Sequence, residues 1–256
     1  MAQGLPDPHR LAHFQYELGM ALRKCEKYVE AVEHLSAAIE QFGRNASIPA
    51  LGHAYYELAL CRWWLGDPDQ ARIDLAAARA HFDVAGLEDS TLMADERRAL
   101  WLHRLEEYSE AADLNRWLVY SSSGQARYRA RNRLAENWIR LELFNDALLE
   151  LEGDSAEHET DLIGTPDWYW RQALKVRCHW GENREWDAFQ IARVCFEVGL
   201  DGCPSEAVRA VLHEAVARQN GDPIEFGKAA HLYLLSGLAD FARAAMDRFS
   251  AVVATD

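Results

Sequence analysis

YELGMALRKCEKYVEAVEHLSAAIEQF, residues Tyr16–Phe42, returns forty residues later without a gap as YELALCRWWLGDPDQARIDLAAARAHF, Tyr56–Phe82. Tyr16 falls on Tyr56, Glu17 on Glu57, Leu18 on Leu58, Ala31 on Ala71, Leu35 on Leu75, Ala38 on Ala78 and Phe42 on Phe82. A recurrence of this length is the mark of a stacked array, because one helical hairpin cannot bury its apolar face alone and must lay it on a neighbour. Within each copy the apolar residues recur at helical spacing. Leu11, Leu18, Leu22 and Cys25 form one stripe, and Ala31, Leu35 and Ala38 form the facing one. The turn near Glu26-Lys27 has its echo in Gly66-Asp67-Pro68, where Asp67 is a helix cap and Pro68 opens the next helix.

Working outward, a third unit spans about Ser90–Tyr120 and departs from the pattern in placing Asn115 where the earlier units carry Leu35 and Leu75. A fourth, Gln125–Glu152, is regular again, with Leu134, Ala135, Trp138 and Leu141 on one helix and Phe144, Ala147 and Leu151 on the other. The stretch at 153–167 is acidic and weakly periodic, and reads as a connecting loop without the spacing of a calcium loop. Beyond it WYWRQALKVRCHW and REWDAFQIARVCFEVGL predict a fifth hairpin whose register the sequence leaves open. Helices follow at about Pro204–Arg218, Pro223–Leu235 and Leu238–Ala251.

Leu-Gly, a large residue, a turn, then Tyr, Ala, a large residue and Ala: this order resembles the tetratricopeptide repeat (TPR). The resemblance is clear over about residues 10–152 and weak beyond. It implies an all-α protein, a right-handed α-α superhelix of about 12–13 antiparallel helices. Four hairpins would occupy 1–152, the acidic loop 153–167, and divergent hairpins with a C-terminal capping helix 168–256, continuous with the same solenoid. The family's usual unit is shorter than forty residues, so longer helices or loops are expected here.

Composition narrows the function. The 256 residues carry a formal net charge of −14, which disfavours general nucleic-acid binding. No apolar run is long enough to span a membrane, and the start, MAQGLPDPHR, has no apolar signal core, so a cytoplasmic location is expected. The five cysteines contain no CxxC pair and their spacing matches no usual zinc pattern; they read as ordinary thiols, with Cys25 and Cys61 on apolar faces. No GxSxG, HExxH or phosphate-binding loop occurs. Neither catalysis, nor a cofactor, nor a metal is expected.

In TPR proteins the first helix of each hairpin usually lines a groove that holds a partner polypeptide. With Leu18 and Leu22 turned into the stack, the opposite side of the first helix carries His13, Tyr16, Met20, Arg23 and Lys24. The second unit offers His53, Tyr56, Leu60, Trp63 and Trp64, the third Arg97 and Arg104, and the fourth Arg129, Asn132, Arg133 and Arg140. The tryptophans and tyrosines are either partner anchors or core shared with the next hairpin. The arginines suit an acidic or carboxylate group, or lie solvated beside local glutamates. Arg129 and Arg133 resemble half of the carboxylate clamp of some TPR proteins, whose other half has no match here. The expected function is a non-catalytic adaptor that binds a protein or peptide with an apolar anchor and acidic groups. The alternatives are a peptide-sensing module that controls an effector on another polypeptide, and self-assembly with a second copy.

Overall fold

A computed structural model describes residues 8–153, 162–203 and 205–254. Among the described residues there are thirteen helices and no strand: α1 (Pro8–Lys24), α2 (Tyr28–Arg44), α3 (Ile48–Trp64), α4 (Pro68–Val84), α5 (Glu88–Arg104), α6 (Tyr108–Ser121), α7 (Gly124–Arg140), α8 (Phe144–Glu152), α9 (Pro166–Gly181), α10 (Glu185–Val198), α11 (Glu206–Asn220), α12 (Pro223–Leu235) and α13 (Ala239–Val253).

The first six helices begin at residues 8, 28, 48, 68, 88 and 108, so the geometric repeat is twenty residues, half the sequence period. One turn accounts for it. Helix α1 ends with the Lys27 N–H donating to the Leu22 carbonyl at 3.0 Å and the Glu26 N–H to the Arg23 carbonyl at 2.9 Å. This closure, the Schellman motif, requires a left-handed residue just past the helix end. That residue is Glu26, then Ala46, Gly66, Gly86 and Glu106, with φ between 52° and 81°. The same bond, from each N–H to the carbonyl five residues back, recurs from Ser47, Asp67, Leu87 and Glu107. Loops between hairpins and within them are therefore alike in this stretch, and only residues 45–47 separate α2 from α3.

The chain forms two compact units, Met1–Trp101 and Leu102–Asp256. In the first, Ala31, Leu35, Ala38, Phe42, Ala71, Ala78 and Phe82 are wholly buried and Leu75 nearly so, as the repeat predicts. Burying a ring of phenylalanine size contributes roughly 1.5–3 kcal/mol, so Phe42 and Phe82 are the heaviest fixed points of their hairpins. Asp67 caps α4 by accepting the Gln70 N–H at 3.2 Å. Cys25 is exposed, contrary to the expectation of an apolar site, because α1 closes at Lys24 and leaves it in the turn.

In the second unit, Trp168, Tyr169, Val176, Ala188, Cys195, Leu212, Ala229 and Tyr233 share one core, and Ala135, Ile139, Ala147, Leu151 and Leu174 another. Asn115 is buried: its amide donates to the Ala111 carbonyl at 2.7 Å, while its own carbonyl oxygen has no partner. Most of the acidic stretch expected as a connector lies outside the described residues. Its last two positions, Pro166 and Asp167, open α9 behind the Thr165 cap.

Candidate functional site

The first unit divides the expected binding residues into three sorts. Tyr56 and Leu60 lie in the core, 7% and 9% exposed, because α3 packs against α1, α2 and α4 at once. Trp63 is half-buried and stacks in parallel on Trp101, ring centroids 4.6 Å apart. His13 and His53 make the same edge contact one repeat apart, on Phe42 at 5.1 Å and on Phe82 at 4.9 Å. Arg23 is paired with Glu57, Arg97 donates to the Tyr56 hydroxyl at 3.4 Å, and the Tyr16 hydroxyl points at the Met20 sulfur. Lys24 is exposed, and Trp64 is 58% exposed, lying over Tyr28.

In the second unit Asn132, expected to face a partner, is wholly buried. Its amide donates to the Asp167 carbonyl at 3.1 Å and its oxygen accepts from Arg171 at 2.8 Å, so it joins α7 to α9. Arg129 is exposed but paired with the Asp167 carboxylate at 2.7 Å. Arg133 is half-buried and Arg104 exposed. The arginines of α7 thus do not converge. Arg140 is separated from the others, at an open cavity.

That cavity, of about 660 Å³, is a concave feature of the second unit. Helices α7, α9 and α11, each the first of its hairpin, line it together with α13. Trp170, Phe144, Trp180, Val211 and Phe241 give it aromatic and apolar walls, and four guanidinium groups, Arg140, Arg177, Arg218 and Arg248, reach it against two carboxylates, Glu136 and Glu214. The volume lies within the range of pockets that take a small ligand or a few side chains.

Its charges fall into two sets. Glu214, 3% exposed, accepts from Arg218 at 2.9 Å, from Arg248, and from the Tyr233 hydroxyl at 2.8 Å. Arg218 also reaches Glu185 at 3.1 Å and lies over the Trp180 ring at 4.0 Å. A buried carboxylate needs this many donors to offset its lost hydration. Arg177 differs. No carboxylate among the described residues stands within ion-pair distance of it, and burial pushes its pKa down, opposed by the more distant Glu136 and reinforced by Arg140.

Trp170, Arg177, Arg218, Phe241 and Arg248 are not among the residues expected from the sequence. The signal was present: Trp170, Ala173, Leu174 and Arg177 sit at spacings of three, four and seven, one face of a helix. The buried thiols do not suit nucleophilic chemistry. Burial raises Cys61 to about 11 and Cys178 and Cys195 to about 12, which keeps them protonated.

No protein-family model matches the chain, and neither does any curated protein. Solved structures do. One holds nearly identical TPR-like repeats of a Podosopora anserina protein described as a putative kinesin light chain, with a TM-score of 0.61 and 18% identity over 78% of this chain and 100% of that one. A single-residue variant of it gives a TM-score of 0.62 and 19% identity, over 77% of this chain and 98% of that one. The likeness is one of fold, and the fold of this chain is the tetratricopeptide-like helical repeat.

Proposed function

We propose that this protein is a non-catalytic scaffold that binds a partner polypeptide, and that the cavity of its second unit is the principal contact. The observation that carries this reading is the turning of α7, α9, α11 and α13 toward one open volume with aromatic walls and arginine heads. Aromatic side chains cover large area with few rotors, and arginines supply directional donors; both are the residues on which protein interfaces depend most. In the first unit, Trp64 and Lys24 are members of the sequence-derived set that leave exposed surface for a partner. Arg104 adds an exposed cation in the second.

A photo-crosslinking amino acid placed at Trp170 in the full-length protein, expressed in its own cells, tests the reading. The control is the same group at Leu149, 69% exposed on α8, a second helix of its hairpin. Capture of a polypeptide from position 170 and not from 149 is expected. Equal capture from both, or none from either, would sink the proposal.

A further inference from the structure

We infer that the cavity selects a segment in which a carboxylate sits beside a bulky apolar side chain, with Arg177 receiving the carboxylate and Trp170 and Phe241 flanking the apolar group. This rests on the polypeptide-binding reading above and adds the chemistry of what is bound.

Arg218 and Arg248 are committed to Glu214 and Glu185, two cations against two anions. That leaves Arg140, Arg177 and Glu136 around the rest of the cavity, with one positive charge in excess, on a protein whose net charge is −14. An ion withdrawn from water without a contacting counter-ion destabilises the fold, and is retained where something else supplies the counter-ion. A monoanion matches the excess of one; a phosphate dianion would exceed it and meet Glu136. The planar guanidinium offers a carboxylate two parallel donors. The apolar half of the partner follows from the walls, where Trp170, Phe144 and Phe241 present rings rather than further polar groups.

Two sources carry this chemistry: the side-chain carboxylate of a glutamate or aspartate, and the terminal carboxylate of a polypeptide. Three hexapeptide pools distinguish them, each with leucine, phenylalanine and tryptophan mixed at the flanking positions. One has a central glutamate and both ends capped, the second a central glutamine and both ends capped, and the third a central glutamine and a free terminal carboxylate. Peptides retained by the immobilised full-length protein are quantified against input. At least about tenfold preference for the first or third pool over the second is expected, equivalent to about 1.4 kcal/mol, and whichever pool is retained names the source.

Arg177→Met should reduce that preference to within about twofold while leaving the thermal unfolding midpoint unchanged or higher, because an uncompensated ion has been removed. Equal retention of the neutral pool, a preference that survives Arg177→Met, or a lowered midpoint in that variant would each overturn the inference. If no pool is retained while the crosslinker at 170 still captures a polypeptide, the carboxylate selection fails and the scaffold reading stands. If both fail, both are wrong.

Discussion

Exchanging alanine and glycine between two copies of the same turn isolates the backbone contribution to the repeat. Ala46 and Gly66 both occupy the left-handed position of a Schellman turn, at φ 52° and 81°, one geometric repeat apart in the first unit. Both are exposed, and a Cβ at Gly66 would meet no atom within 4 Å. Side-chain contacts are thus nearly absent from the comparison. Holding an L-residue left-handed costs about 1–2 kcal/mol, which glycine avoids. Glycine in turn gives the unfolded chain more freedom, a loss of about 0.4–1 kcal/mol. The difference predicts that Ala46→Gly stabilises by about 0.5–1 kcal/mol and that Gly66→Ala destabilises by about the same amount. For a protein of this length 1 kcal/mol moves the melting temperature by about 2–4 °C. Urea unfolding followed by circular dichroism reads the effect as opposite shifts in midpoint at unchanged slope. The double exchange, Ala46→Gly with Gly66→Ala, should return the wild-type midpoint. Two shifts of the same sign, or a destabilising Ala46→Gly, would refute the account of these turns.

Three further perturbations test other parts of the fold. Gly52→Ala would place a Cβ 2.7 Å from the wholly buried Phe82 ring, an overpacking that should lower stability by about 1–3 kcal/mol in chemical denaturation; a neutral result would show that α3 and α4 can part at little cost. Asn115→Leu restores the apolar residue of the first two repeats and removes a buried carbonyl oxygen with no partner, so a gain of about 1 kcal/mol is expected, and a loss would mean that the site cannot take the larger side chain. Asp95 is buried and bonded to Arg79 at 2.9 Å; burial raises its pKa above the ordinary 3.8, and the pull of Arg79 only partly offsets this. A raised folded pKa means that stability is fully present below the unfolded value and is lost as pH rises through the folded one. The stability of wild type relative to Asp95→Asn should therefore fall as pH rises above about 4 in urea midpoints, whereas a rise would show that Arg79 outweighs burial.

The stacking of the first two hairpins was legible in the sequence because apolar stripes at helical spacing dictate what is buried. Ala31, Leu35, Ala38 and Phe42 occupy the core as their echoes do. The twenty-residue repeat was not legible, because the left-handed position that punctuates it holds Glu26, Ala46, Gly66, Gly86 and Glu106, and only two of these five are glycine. Choosing the free side of a helix by angle failed at Tyr56, Leu60 and Asn132. A helix in a stacked array meets neighbours on more than one side, and rotation about its axis does not say how many. The cavity was missed for a different reason. Its residues lie largely on α9, α11 and α13, beyond the point at which the repeat residues can be aligned, so a correct helical stripe had no neighbour to be set against.

The two charge sets of the cavity imply a division of labour. The Glu214 set is complete without a partner, since every ion in it touches a counter-ion, and it fixes α11, α13 and the Trp180 ring before anything binds. Arg177 has no such contact and contributes nothing comparable to the empty fold. Removing one partner of a buried ion pair costs about 3–5 kcal/mol, so Glu214→Gln should damage stability and binding together, whereas Arg177→Met separates them. Salt should separate them too. Exposed pairs such as Arg116–Asp113 are screened over about 8 Å at physiological ionic strength, while a guanidinium inside the cavity is screened much less. Recognition through Arg177 should accordingly persist at salt concentrations that abolish a merely electrostatic attraction to an arginine-bearing surface. This holds because the walls that exclude water from the guanidinium are the same rings that receive the apolar side chain.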